Sequence, residues 1–377
     1  MHRPNSTFLA FLAVLSLPLG LLRAYPAPSP ASSAQTQAPA AQSPSTKPPA
    51  KGAVAAPGAT QAPQLETGHG AKLQRKGQGF TLHADVNLVV LHATVLDKKG
   101  HMVNNLGQKD FQVFEDAVRQ KLSVFSHADV PVTMGIVIDD SGSMRPKRPS
   151  VNAAALTFVK TSNPDDQVFV VNFNDVYYLD TPGNFATSME DLKLALGKID
   201  SRGGTALYDA MYASLDHLRL GNRDKKVLLV ITDGEDNSSR YTFDQLVQYA
   251  QKSNAEIYAI GLLGDQTTTG LFKIHSGGDK HAEKILKKLS EATGGKAFFP
   301  KNLTQVDSIC QQIAHDIRNQ YTLAYYPTNV KKDGSFRQVR VVAFLPHTKT
   351  RLIVRTRPGY FAPKANEQVA SAASSGQ

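Results

Sequence analysis

Three short oxygen-rich stretches carry the chemistry of this chain. Asp139-Asp140-Ser141-Gly142-Ser143 spaces a carboxylate and two hydroxyls as Asp-x-Ser-x-Ser, Ser201-Arg202-Gly203-Gly204-Thr205 brings a third hydroxyl, and Thr232-Asp233-Gly234 a second carboxylate. Together Asp139, Ser141, Ser143, Thr205 and Asp233 form a donor set for a hard divalent cation. Mg2+ suits it, taking about six oxygens while keeping some of its waters; Mn2+ or Ca2+ would accept the same atoms. Two carboxylates only just neutralise the ion and hydroxyls add no charge, so the bound cation still attracts an anion, such as a partner's carboxylate. Gly142 is read as the residue that lets the first loop turn sharply. Asp140 is read as a supporting or solvent-facing group, and Glu235 and Asp236 as loop-stabilising or solvated. Taken alone, Asp139-Asp140-Ser141 reads equally well as a helix cap; three such loops together weigh against that.

The elements that must hold these loops are legible in the hydrophobic pattern. Across 131–320, strand and helix signals alternate, which predicts a doubly wound α/β fold, its mostly parallel sheet flanked by helices. Strands are expected at 132–138, 167–173, 226–232, 255–263 and 296–300, with a short edge near 176–179. Helices are expected at 149–161, 189–198, 206–218, 243–253, 282–293 and 304–319. Open sheets of this kind bind ligands at the carboxyl ends of their strands. The first and third stretches follow strands, and the second leads into a helix.

At these residues the chain resembles the von Willebrand factor type A domain family, whose metal-ion-dependent adhesion site reads Asp-x-Ser-x-Ser, then Thr, then Asp. The resemblance covers 131–320. It implies that Ser141 and Ser143 touch the metal directly, that Thr205 does so depending on state, and that Asp139 and Asp233 often act through water. It implies a metal-dependent protein-binding, adhesion-type module whose partner presents an Asp or Glu carboxylate. With the export signal and flanking β segments described next, the layout is similar to secreted bacterial members of the family. The alternatives are an assembly scaffold with a structural metal site or, more remotely, a Mg2+-dependent phosphoryl-transfer enzyme. An enzyme is disfavoured by the lack of a Gly-x-Ser-x-Gly elbow, a His-Glu-x-x-His motif, a phosphate-binding glycine loop with lysine and a Gly-x-Gly-x-x-Gly fingerprint. Two features depart from a plain family member: a long loop at 264–280, read as a tolerated insertion or a shaper of partner choice, and the basic run Arg145-Pro146-Lys147-Arg148-Pro149, read as solvated or as favouring an acidic ligand.

The remaining segments set the context. A basic start, an apolar run from Phe8 to Leu22 and small residues after it form an export signal, assigned to 1–24. This predicts an exported protein, periplasmic, cell-surface or secreted, touching a membrane only if the signal stays uncut. Residues 25–79, rich in Pro, Ala and Ser, read as a disordered linker, and 363–377 as a disordered tail. Segments 80–130 and 321–362 read as strands that pack together as a smaller β-sandwich-like domain, with a hairpin in which 111–114 and 121–125 flank Glu115-Asp116-Ala117. The net charge of +10 is uneven: 131–320 carries 21 basic and 23 acidic side chains, and 321–377 carries 9 and 2. The basic residues alternate along strands rather than clustering with aromatics, so no nucleic-acid partner is expected. Cys310 is the only cysteine, so no intramolecular disulfide can form, and its place on an apolar helical face predicts a buried thiol.

Overall fold

The structure, a computed structural model, describes residues 72–76, 79–83, 88–263, 277–348 and 350–364. The predicted signal, most of the linker, most of the tail and residues 264–276 of the long loop lie outside the described residues. Among those described, no helix is long and apolar enough to cross a membrane.

β1 (Lys72–Lys76) and β2 (Gly79–His83) pair antiparallel with Lys76 opposite Gly79. β1 falls inside the stretch assigned to the linker, because a five-residue strand whose one apolar residue is Leu73 shows no alternation for the sequence pattern to register. β3 (Val89–Leu96), β4 (Phe111–Glu115), β5 (Val118–Gln120) and β6 (Leu122–Ser126) then precede the α/β unit. That unit runs β7 (Val132–Asp139), α1 (Arg148–Thr161), β8 (Gln167–Phe173), β9 (Tyr177–Leu179), α2 (Met189–Gly197), α3 (Leu207–His217), β10 (Lys225–Thr232), α4 (Phe243–Ser253), β11 (Ala255–Gly261), α5 (Gly277–Thr293), β12 (Ala297–Phe298) and α6 (Gln305–Arg318). β13 (Tyr321–Tyr325), β14 (Phe336–Ala343), β15 (Ile353–Arg355) and β16 (Gly359–Phe361) close the chain.

The central sheet has the order β12-β11-β10-β7-β8-β9, parallel except for the edge strand β9. Every residue of β7 and β11 is buried, as expected of strands covered on both faces, whose sequences run apolar rather than alternating. Val151, Phe158, Leu192, Val306 and Ile313 of α1, α2 and α6 pack on one face; Leu207, Met211, Leu246, Leu286 and Leu289 of α3, α4 and α5 pack on the other. Cys310 is fully buried in the first of these cores, and burial pushes its thiol up to about 12. α5 starts five residues earlier than the sequence pattern indicated, so the long loop ends before 277.

The flanking segments build two four-stranded antiparallel sheets, β15-β3-β13-β6 and β16-β14-β4-β5, around one apolar core. In the first sheet strands from before and after the α/β unit alternate, and in the second β4 from before it pairs with β14 from after it, as a composite sandwich requires. The hairpin differs from its expected form: β4 turns through Asp116 and Ala117, both at positive φ, into β5, while β6 crosses to the opposite sheet and pairs with β13.

Candidate metal centre

β7 and β10 are neighbours, and the chain leaves them in opposite directions, from β7 to β8 on one side and from β10 to β11 on the other. Their carboxyl ends bound the crevice where such sheets take ligands. Ile138 lies opposite Ile231, so Asp139 and Thr232 end the two strands side by side. Asp139 is fully buried; one carboxylate oxygen accepts the Ser141 amide at 2.8 Å and the other the Thr232 hydroxyl at 2.6 Å. A 3₁₀ turn over Gly142–Met144 follows. It leaves the Ser141 and Ser143 hydroxyl oxygens 3.2 Å apart, and Ser143 donates to Asp233 Oδ1 at 2.9 Å. Four of the five expected donors therefore meet in one chain of contacts. Thr205, buried just before α3, has its hydroxyl beside Gly234 of the Asp233 loop; no hydrogen bond joins it to the other four.

The sequence model of the von Willebrand factor type A domain matches residues 134–312, the stretch that contains all five residues. Residues 134–312 form a von Willebrand factor type A domain. Over 152 residues the chain is 28% identical to human integrin alpha-11, covering 35% of this chain and 13% of the integrin. Over 111 residues it is 31% identical to an uncharacterized protein of Borreliella burgdorferi, covering 28% of this chain and 32% of that protein. The match thus spans less than a third of either relative's length. A solved von Willebrand factor type A structure from Catenulispora acidiphila aligns with 75% of each chain at a TM-score of 0.41 and 14% identity.

In this type A domain the three loops are tied together by groups that sequence reasoning left in supporting roles or missed. Asp140 accepts the Ser201 hydroxyl at 2.8 Å and the Asp200 amide at 2.6 Å, fastening the first loop to the second. Asn237 Oδ1 accepts the Thr205 amide at 2.8 Å, and Asp236 accepts the Tyr208 amide in the first turn of α3 at 3.1 Å. Glu235 is half-buried, and its Oε1 is buried with no hydrogen-bond partner. Gly142 is not the residue that needs glycine's freedom, since a β-carbon there would meet nothing within 4 Å. Gly203 is, with φ at +70° and its absent β-carbon only 1.9 Å from an Asp175 oxygen.

Each of the three basic side chains in the run has a partner within the chain. Arg148 is fully buried, its Nε 3.5 Å from Asp140 and its Nη2 donating to Asn172 at 2.9 Å. Arg145 donates to the Ser201 carbonyl at 2.8 Å, and Lys147 forms an ion pair with Asp233 Oδ2. Buried carboxylates at Asp140 and Asp233 demand counter-charge, and this run supplies it.

Desolvation pushes the Asp139 carboxyl up to about 6, with the nearby Asp233 charge adding and the bonds from Thr232 and Ser141 opposing. The donor set fits a hard cation. Adjacent ligands of an octahedral Mg2+ at roughly 2.1 Å lie about 3 Å apart, and the Ser141–Ser143 and Ser143–Asp233 oxygen pairs are spaced at 3.2 and 2.9 Å. Ser143 and Gly142 face solvent, which leaves the rim open to a partner. Among the described residues no three His, Cys, Asp or Glu side chains gather as a metal cluster, so any ion here must rely on hydroxyls and water as well as the two carboxylates.

Proposed function

We propose that the type A domain is a divalent-cation-dependent protein-binding module of the adhesion type. Asp139, Ser141, Ser143, Thr205 and Asp233 would hold Mg2+, or Mn2+ or Ca2+, and an acidic side chain of a partner protein would complete the site. The observation that supports this best is the chain of contacts from Asp139 through Ser141 and Ser143 to Asp233 at the crevice between β7 and β10. A bound ion would supply an electrophilic centre with a position left for an outside oxygen. The protein's share is positional: Thr232 and the Ser141 amide aim the Asp139 carboxylate, and Asp140 with Asn237 keeps the second and third loops in register with the first. We place the protein outside the cytoplasm on the strength of its N-terminal pattern, with no role for nucleic acid.

Two measurements test the reading together. Calorimetric Mg2+ titration of the full chain should give saturable heats that vanish in Ser141→Ala/Ser143→Ala with far-UV circular dichroism unchanged. Capture of protein from an envelope extract should depend on Mg2+ and be released by chelator. Capture that is equal with Mg2+ and with chelator would favour the scaffold alternative.

A further inference from the structure

We infer that Lys147 is a tethered counter-cation that holds Asp233 when no metal is bound, and that a divalent ion loads the site only by taking Asp233 from it. The inference rests on the metal-site reading above and concerns how that site is regulated.

The Lys147 ammonium is ion-paired to Asp233 Oδ2, while Asp233 Oδ1 accepts Ser143. Both oxygens of a carboxylate whose side chain is only 1% exposed are thereby satisfied from within the chain. The neighbouring residues fix this geometry. The Lys147 amide donates to the Met144 carbonyl and its carbonyl accepts the Val151 amide, so its backbone is locked at the head of α1. Pro146 and Pro149 restrict the backbone on either side. The lysine is therefore held near the site at high local concentration.

Charge counting shows the consequence. Asp139 and Asp233 together balance a divalent cation; with the ammonium still in place, the assembly carries one positive charge too many. Like charges a few ångströms apart in a partly buried site repel strongly, so Lys147 must swing toward solvent as an ion binds. Its side chain, 14% exposed, lies close enough to the surface to do so. Two results follow. The metal-free domain keeps its third loop docked, because Asp233 is not left as an unpaired buried charge. The domain also binds metal more weakly than its oxygen donors alone would allow, so loading tracks the external cation concentration.

The test is Mg2+ titration of full-length wild type, Lys147→Met, Lys147→Arg and Ser141→Ala/Ser143→Ala, with thermal melts in chelator and in Mg2+. Lys147→Met is expected to bind Mg2+ about tenfold or more tightly, as removal of a nearby like charge requires, to melt lower in chelator, and to gain more from Mg2+ than wild type. Lys147→Arg should stay near wild type. Affinity in Lys147→Met unchanged or weaker than wild type overturns the inference. Unchanged binding by the double serine variant would instead overturn the donor set itself. If Lys147→Met does not fold, nitrogen-15 lysine side-chain NMR on wild type decides: the protected Lys147 ammonium signal should vanish as Mg2+ saturates the site, and its persistence refutes displacement.

Discussion

Asp139 has an environment that penalises its charge, and that gives a stability test independent of any partner. Burial pushes its carboxyl up to about 6, above the ordinary aspartate value of 3.8, so the folded metal-free state favours the protonated form more than the unfolded chain does. The stabilisation this gives is complete below about pH 4 and is lost as pH rises through 6. Asp139→Asn carries no charge to desolvate. In chelator at pH 7.5 it should therefore melt above wild type, by an amount on the order of 3 kcal/mol if the whole shift is relieved. The gain should disappear by pH 4, and Mg2+ should no longer stabilise the variant. A variant less stable than wild type at pH 7.5 would contradict this. The two loop glycines give a paired prediction. Gly203→Ala forces a side chain into a left-handed backbone against Asp175 and should cost about 1–3 kcal/mol, whereas Gly142→Ala should stay within about 0.5 kcal/mol of wild type; equal losses in chemical denaturation would remove the distinction. At this scale the sequence disclosed the donors, because Asp-x-Ser-x-Ser is local to one loop. It did not disclose Thr232 as the partner of Asp139, which depends on the register between β7 and β10. Nor did it disclose Lys147 as the partner of Asp233, since the direction a lysine takes after a 3₁₀ turn is not a matter of spacing.

Element by element, the readable parts were those with long periodic burial. β8 and α4 fall where the pattern put them, and most other elements of the α/β unit shift by a residue or two. The errors concentrate where strands are short. β5 and β16 have three residues each, too few to show alternation, and β6 changes sheet for reasons that only its partner β13 supplies. The junction between the sandwich and the α/β unit was likewise invisible, because it is polar and assembled from four separate elements. Gln320 donates to Glu256 at the start of β11 at 2.8 Å and to Thr94 of β3 at 3.3 Å. Arg355 of β15 donates to Asp316 of α6 at 2.7 Å and to the same Thr94 at 3.2 Å. The Arg355–Asp316 pair is largely buried, so removing one partner strands the other. Arg355→Met and Asp316→Asn should each lose about 3 kcal/mol, and the double variant should lose less than their sum by about 1–2 kcal/mol. Additive losses in urea unfolding would show that the two side chains act separately.

On the scale of the whole molecule, the three apolar cores do not mix. Both cores of the central sheet draw only on residues between Val132 and Ile317, whereas the sandwich core draws only on Val89–Phe125 and Tyr321–Tyr360. The α/β unit therefore owns all the apolar surface it needs. Neither flank does, since β3 is hydrogen-bonded only to β13 and β15, and β4 has β14 on one side and only the three-residue β5 on the other. A chain cut after residue 320 takes from β3 every strand it pairs with, and leaves Leu91, Val95, Phe111 and Val113 without the opposing Tyr321, Leu323, Val341 and Tyr360. A hairpin of that size is marginal in water. Two fragments separate the possibilities. Residues 131–320 alone should fold, somewhat destabilised by the open junction, and bind Mg2+ with an affinity close to that of the full chain. Residues 1–320 should keep slow amide exchange in β7, β8, β10 and β11 but lose it throughout β3, β4 and β6. Protected amides in β3 of that fragment would mean that the first flank folds by itself, and the two flanks would then not form a single composite domain.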